Sequence, residues 1–106
     1  MARKVRICAA SAVPAGGVRQ VQVAEFPEPL AVFHIGGRFH LTEDTCTHGF
    51  ASLSQGDVVG DLIHCPLHGG AFKIATGEPA EYPCTIALKV FNVYQEGDDL
   101  FADLAE

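Results

Sequence analysis

Helical periodicity is nearly absent from this sequence, and this absence constrains the fold more than any other feature. No window places apolar residues at three- and four-residue spacing over three turns, whereas short β-branched and aromatic runs recur between glycines and prolines. The pattern predicts an all-β domain of small packed antiparallel sheets or a barrel. The candidate strands cover residues 4–9, 18–24, 30–35, 38–42, 57–59, 62–64, 71–74, 86–94 and 98–103.

Length and charge narrow the class of protein further. A chain of 106 residues, 48% of them apolar, predicts a single domain over residues 1–106 with one modest core. The formal charge is -6 and no basic run occurs, so neither a nucleic acid nor a membrane is expected as a partner. The N-terminal segment lacks the continuous apolar stretch of a signal peptide. We therefore expect a cytoplasmic protein whose four cysteines stay reduced.

Two hairpins can be placed in the sequence. The stretch AVFHIGGRFHL, residues 31–41, contains two glycines where a turn is expected. A three-residue turn over residues 35–37 would set Phe33 opposite Phe39 and give the hairpin one apolar face. The other face would be polar and would carry His34, Arg38 and His40. A second hairpin is predicted to turn at residues 96–97.

Two Cys/His pairs lie between residues 43 and 85, where the strand pattern weakens and Gly, Pro, Ser and Thr accumulate. This region is predicted to be a loop-built insertion on the β scaffold rather than a second domain. Cys46 and His48 form the first pair and Cys65 and His68 the second, which gives the formula C-x-H-x16-C-x-x-H. Thiolates and imidazoles suit zinc or an iron–sulfur cluster, whereas magnesium and calcium take oxygen ligands.

The spacing within the pairs favours the iron–sulfur cluster over zinc. Structural zinc sites usually pair like ligands with like, as C-x(2-4)-C and H-x(3-5)-H, but this sequence pairs unlike ligands twice. A two-iron, two-sulfide cluster suits that arrangement, because two thiolates can cap one iron and two imidazoles the other. A zinc-stabilised interaction module remains the alternative.

These motifs carry a family resemblance. CTHG followed by CPLHGGAF resembles the paired signature of Rieske [2Fe-2S] proteins, and the flanking sequence is similar to the small Rieske ferredoxins of multicomponent aromatic-ring-hydroxylating dioxygenases. The resemblance runs from VRICAAS to GDDLFADL. It implies that Cys46 and Cys65 bind one iron and that His48 and His68 bind the outer iron, within a cluster-binding subdomain over about residues 43–85.

This ligand set has a consequence for the reduction potential. Two ferric ions, two sulfides and two thiolates sum to zero charge, whereas an all-cysteine cluster starts at minus two, so the mixed-ligand cluster accepts an electron more easily. Respiratory Rieske proteins carry a further cysteine in each loop, joined in a disulfide, but Ala51 and Leu67 stand at those places here. The resemblance therefore implies a potential at the low end of the Rieske range.

Residues around the pairs have two interpretations each. Gly49, Gly69 and Gly70 either admit backbone hydrogen bonds to the sulfurs or simply turn the loops. Candidates to cover the cluster are Phe50, Leu67 and Pro83, and GEPAEYPC resembles the proline-containing loop of the family. Residues interpreted as lying outside the ligand set are Cys8, Cys84, His34, His40 and His64. The acidic side chains that either steer docking or maintain solubility are Glu78, Glu81, Glu96, Asp98, Asp99, Asp103 and Glu106.

The resemblance implies an electron carrier rather than an enzyme. Its cluster would accept one electron from a flavin-dependent reductase and deliver it to the Rieske centre of a terminal oxygenase, and a monomer is the expected state for a carrier that must expose its cluster. The alternative of an oxygenase fragment or a nitrite-reductase-like small subunit is weaker, because three spare histidines leave little room for a second iron site.

Overall fold

The computed structural model describes residues 2–47, 51–67 and 69–105. In that part of the chain the structure is built from β-strands joined by turns, with two single-turn 3-10 helices and no α-helix, which confirms the all-β prediction. The strands are β1 (Ala2–Ala9), β2 (Val18–Val23), β3 (Phe26–Ile35), β4 (Arg38–Glu43), β5 (Asp57–Val59), β6 (Leu62–His64), β7 (Ala71–Lys73), β8 (Pro79–Glu81), β9 (Val90–Phe91), β10 (Val93–Glu96) and β11 (Asp99–Ala105).

The strands form three antiparallel sheets. The first has the order β1-β11-β10, the second β2-β3-β4-β9 and the third β5-β6-β7-β8. The third sheet lies between residues 57 and 81, inside the region where the sequence pattern is weak. All four of its strands are three residues long, and the predicted strands 57–59, 62–64 and 71–74 correspond to the first three of them.

Strand β3 connects two apolar cores because both of its faces are buried. Leu30 and Val32 belong to a core that includes residues of the first sheet. Ala31 and Phe33 point to the opposite face and belong to a second core with Ile63 and other residues of the third sheet. A strand buried on both faces reads as a continuous apolar run, and residues 30–33 are fully buried accordingly.

The register predicted for the hairpin of β3 and β4 is wrong. Phe33 pairs with His40, and His34 pairs with Phe39, so the turn has two residues rather than three. Gly36 and Gly37 both have positive φ, +58° and +78°, as a tight two-residue turn requires. The prediction failed because it assumed one polar face, whereas both faces of β3 are apolar.

The corrected register also separates the polar side chains that were predicted to share one face. His34 stacks on Phe39 with 4.3 Å between ring centroids, whereas His40 lies on the opposite face of the sheet, across from Phe33. Burial, followed by the nearby charge of Arg38, lowers the pKa of His40. The second hairpin turns one residue later than predicted, because Glu96 pairs with Asp99.

Candidate metal centre

Two loops bring the predicted cysteine ligands into one core. The first loop follows β4 and contains Cys46, and the second follows β6 and contains Cys65. Both cysteines are buried, and they share the second core with Cys84. The other two predicted ligands, His48 and His68, lie outside the described residues.

Each of the two loops is closed by a backbone hydrogen bond, and the two bonds have the same spacing in the sequence. The amide N of Cys46 donates to the carbonyl oxygen of Ala51 over 2.9 Å, and that of Cys65 donates to Gly70 over 2.7 Å. Each bond joins residues five apart, so each cysteine begins a closed segment of equal length. The predicted histidine ligand falls inside each of these segments in the sequence.

Asp44 anchors the first loop through hydrogen bonds of its buried carboxylate. Its carboxylate accepts hydrogen bonds from the backbone N of Ser54 and from Nε2 of Gln20, both at 2.8 Å. Its own backbone donates to Pro29 and accepts from Leu53. The side chain is fully buried, and sequence analysis missed it. The only available signal was its position two residues before Cys46.

Residues 82–89 form a third segment of the site. Oγ1 of Thr47 donates to the carbonyl oxygen of Ile86 over 2.6 Å, which ties this segment to the first loop. The backbone N of Lys89 donates to the Glu43 carboxylate over 2.7 Å, and the N of Glu43 donates to the carbonyl of Lys89. The segment is therefore bonded to the first loop at Thr47 and to the end of β4 at Glu43.

Cys84 places a third sulfur beside the two predicted ligands. Its thiol is buried in the same core as Cys46 and Cys65. Burial, followed by these two neighbours, raises the pKa of Cys84 to about 12. Its interpretation as a buried thiol is confirmed, whereas Cys8 is only half-buried.

Gly70 makes room for this third sulfur. Its φ is not positive, but a Cβ at this position would overlap Sγ of Cys84 and would come within 3.1 Å of its backbone N. Gly69, in contrast, has φ +74° and open space around it. Gly69 is therefore needed for the turn and Gly70 for the space it leaves.

Gly70→Ala is therefore expected to lower the free energy of unfolding by about 1 to 3 kcal/mol, because it overpacks a filled core. Urea unfolding measures the change. Adding Cys84→Ala to the same chain should recover part of the loss, since the second substitution removes the overlapping sulfur. Strictly additive effects of the two substitutions would contradict this explanation.

Three large apolar side chains in the second loop and the third segment are exposed. Leu67 lies in the second loop, and Tyr82 and Ile86 lie on either side of Cys84. Pro83 is half-buried, whereas Leu67 is at the surface, and Phe50, the other candidate cover, lies outside the described residues. An exposed apolar patch is typical of a surface that contacts another protein.

The remaining candidates have contacts elsewhere. Nε2 of His64 lies 4.0 Å from the Glu81 carboxylate. Within 2–47, 51–67 and 69–105, no three His, Cys, Asp or Glu side chains are grouped so as to hold a metal ion. Four of the acidic side chains bond to neighbours in or beside the first sheet, namely Glu96, Asp98, Asp99 and Asp103.

The donor set fits an iron–sulfur centre. Two equally closed loops place two cysteine sulfurs in one core, which is the arrangement that thiolate ligation of one metal atom requires. The space left by Gly70 is filled by a third sulfur rather than by a bulky side chain. A small all-β domain whose paired loops each begin with a buried cysteine is suited to hold a metal by thiolate ligation.

Comparison with known proteins identifies the family. The Rieske [2Fe-2S] domain matches residues 3–92, and this chain belongs to that family, whose members bind a [2Fe-2S] cluster. Ferredoxin CarAc of Metapseudomonas resinovorans is 52% identical over 95 residues, which cover 89% of this chain and 88% of the relative.

Solved structures agree with this assignment. The Sphingomonas yanoikuyae B1 ferredoxin superimposes with a TM-score of 0.91 at 36% identity and covers 97% of this chain and 100% of its own. A complex of reduced oxygenase and oxidized ferredoxin in carbazole 1,9a-dioxygenase gives 0.86 at 47% identity, with 94% and 92% covered. The predicted role as the electron-carrying ferredoxin component of an aromatic dioxygenase system, rather than an enzyme, is confirmed. In the described residues, no helix is long and apolar enough to span a membrane.

Proposed function

We propose that Cys46, His48, Cys65 and His68 hold the [2Fe-2S] cluster, with the two cysteines on one iron and the two histidines on the other. The proposal rests on the presence of Cys46 and Cys65 in one core. Each of them begins a loop that is closed by a backbone hydrogen bond to the residue five positions later. When bound, the cluster supplies a centre that takes up and releases one electron reversibly.

The surrounding residues would control water and access. Burial of both cysteines excludes solvent from the sulfur side of the site. The third segment, residues 82–89, adds a further layer, because Thr47 and Glu43 bond to its backbone. Low solvent exposure and hydrogen bonds to sulfur are among the protein's means of setting a cluster potential.

The direction of electron flow forms the second part of the proposal. The chain accepts an electron from a flavin-dependent reductase and passes it to the Rieske centre of a terminal oxygenase. The complex of oxygenase and ferredoxin in carbazole 1,9a-dioxygenase supports the second partner. We further propose that the chain acts as a cytoplasmic monomer and folds as one domain over residues 1–106, with residues 43–85 as its cluster-binding part.

The exposed patch of Leu67, Tyr82 and Ile86 is proposed to contact these partners. Its three residues are exposed and lie in the second loop and in the third segment, close in sequence to proposed ligands or to their loop anchors. A small apolar contact with a polar rim suits a complex that must dissociate after each electron. Glu78 and Glu81 are exposed, the first just before β8 of the third sheet and the second at its end, and we assign them to this rim.

Ile86→Ser tests the patch. We expect the apparent affinity of the protein for the oxygenase, measured from the rate of electron transfer, to fall about fivefold, as for a moderate interface contact. The visible spectrum should not change. The matched control is Val59→Ser, because Val59 has similar exposure, 57% against 63%, but lies at the hairpin end of β5 and β6, away from Cys65. Equal effects of the two variants would contradict the assignment of the surface.

A reconstituted system tests the function itself. The reductase and the terminal oxygenase of a carbazole 1,9a-dioxygenase are mixed with substrate and NADH, and product is measured with and without this protein. Product formation should rise in proportion to its concentration until another component limits the rate. A protein that carries its cluster and can be reduced chemically, but gives no product at any concentration, would overturn the proposed role between these partners.

A further inference from the structure

Ile86 lies at the centre of a short exposed stretch of the third segment. Cys84 and Leu88 are both buried, whereas the residues between them, 85–87, are exposed and belong to no strand. The backbone N of Leu88 donates to the carbonyl oxygen of Gly77 over 2.8 Å, which anchors the far end of the stretch. The Ile86 side chain is 63% exposed between these buried ends.

Thr47 contacts the middle of this stretch. Its Oγ1 donates to the carbonyl oxygen of Ile86 over 2.6 Å. In the sequence Thr47 lies between Cys46 and His48, two of the proposed ligands. The bond is at the surface, where water competes for both groups, so it contributes little to the stability of the whole fold. Its effect is local, because it fixes the backbone that carries the Ile86 side chain.

A fixed position matters for a side chain that contacts a partner. Less conformational entropy is lost on binding when the contacting side chain is already held in place in the free protein. The first loop can hold Ile86 in this way, because the loop is itself closed by the backbone bond from Cys46 to Ala51. The bond from Thr47 therefore keeps Ile86 in one place relative to the loop of the proposed cluster site.

We propose that Thr47 is a positioning residue for docking, whose hydroxyl holds Ile86 where its side chain contacts the terminal oxygenase. The inference rests on the proposed contact surface of Leu67, Tyr82 and Ile86. Thr47 acts through Ile86, so it affects the formation of the complex and not the electron-transfer step within it.

Two substitutions separate the hydrogen bond from the shape of the side chain. Thr47→Val removes the hydroxyl and nearly keeps the shape, whereas Thr47→Ser keeps the donor. The reduced, cluster-loaded proteins are mixed with increasing concentrations of the oxygenase of a carbazole 1,9a-dioxygenase, and the rate of electron transfer is recorded. For Thr47→Val the half-saturating concentration should rise about threefold, as for one hydrogen bond of modest strength. The limiting rate and the visible spectrum should not change, and Thr47→Ser should behave as the unsubstituted protein.

The matched control is Thr85→Val. Thr85 is exposed and directly precedes Ile86, and its hydroxyl makes no hydrogen bond to the part of the chain that the structure describes. The same substitution at this position should leave the half-saturating concentration unchanged. Equal increases for Thr47→Val and Thr85→Val would overturn the inference.

Combination with Ile86→Ser tests whether Thr47 acts through Ile86. In the Ile86→Ser chain, Thr47→Val should have almost no further effect, because the contact that it positions is already lost. A second threefold rise in that background would overturn the inference. A Thr47→Val chain that lost its cluster would also overturn it, since Thr47 would then serve the ligands instead of the docking surface.

These outcomes are distinct from those that test the proposed function. If Thr47→Val had no effect while Ile86→Ser weakened docking, the inference about Thr47 would be wrong and the contact surface would stand. If Ile86→Ser had no effect either, the proposed contact surface itself would be wrong.

Discussion

Cys65→Ala is expected to abolish the cluster entirely. Iron in the purified chain should fall from the two atoms of a [2Fe-2S] cluster to background, and the visible absorption should disappear. Cys65 is buried in the second core, so its truncation removes one of the two proposed thiolate ligands from the interior of the site. Metal analysis together with the visible spectrum measures the change, and His48→Ala should give the same result.

The matched control for ligand loss is Cys8→Ala. Cys8 lies on β1, in the sheet that is separated from the paired loops by β3, and packs against the other core. This variant should keep full iron content and an unchanged spectrum. A Cys65→Ala chain that retained its iron would show that the ligand assignment is wrong. Loss of the cluster should also lower the melting temperature, because the metal would cross-link the two loops.

Asp44→Ala is expected to destabilise the protein by about 1 to 3 kcal/mol, a large share of the stability of a small domain. The carboxylate is fully buried and accepts from the Ser54 backbone and the Gln20 side chain. Truncation leaves the half-buried Ser54 amide without its acceptor, at about 1 to 3 kcal/mol, whereas the Gln20 side chain is exposed and keeps Ser52 Oγ at 3.4 Å. Relief of the buried carboxylate's desolvation offsets part of that cost. Urea unfolding at constant pH measures the difference.

Asp57→Ala is the control for Asp44. Asp57 is exposed at the start of β5, so its removal should change stability by no more than about 0.5 kcal/mol. Gln20→Ala should fall between the two, because it removes one of the two donors and leaves the other bonded. If Asp44→Ala were as mild as Asp57→Ala, the buried carboxylate could not be what fixes the first loop.

The scaffold strands could be predicted because their apolar and β-branched runs are bounded by glycine or proline. Strands β5 and β6 were predicted with the observed bounds, 57–59 and 62–64. Strand β8 was missed, because Pro79–Glu81 contains a proline and a glutamate and pairs at the edge of its sheet. The turn of β3 and β4 was missed because the burial of both faces of β3 is a tertiary effect that alternation cannot reveal.

The candidate site was predictable where it depends on spacing and not where it depends on packing. Two Cys/His pairs can be recognised along the chain, and the structure brings Cys46 and Cys65 together as expected. The functions of Asp44, Gly70 and Cys84 depend on neighbours distant in sequence, such as Gln20 for Asp44. From residue type alone, Asp44 is expected to be an acidic loop residue, Gly70 a glycine in a turn and Cys84 a buried thiol with no special function.

Electron paramagnetic resonance of the anaerobically reduced protein, with iron and zinc quantified on the same sample, tests the central claim most directly. We expect a rhombic spin-one-half signal whose average g lies clearly below that of an all-cysteine two-iron cluster, with iron at the stoichiometry of one [2Fe-2S] cluster per chain. A colourless, silent sample that contained zinc instead would contradict the mixed Cys/His ligation and the electron-carrier function together.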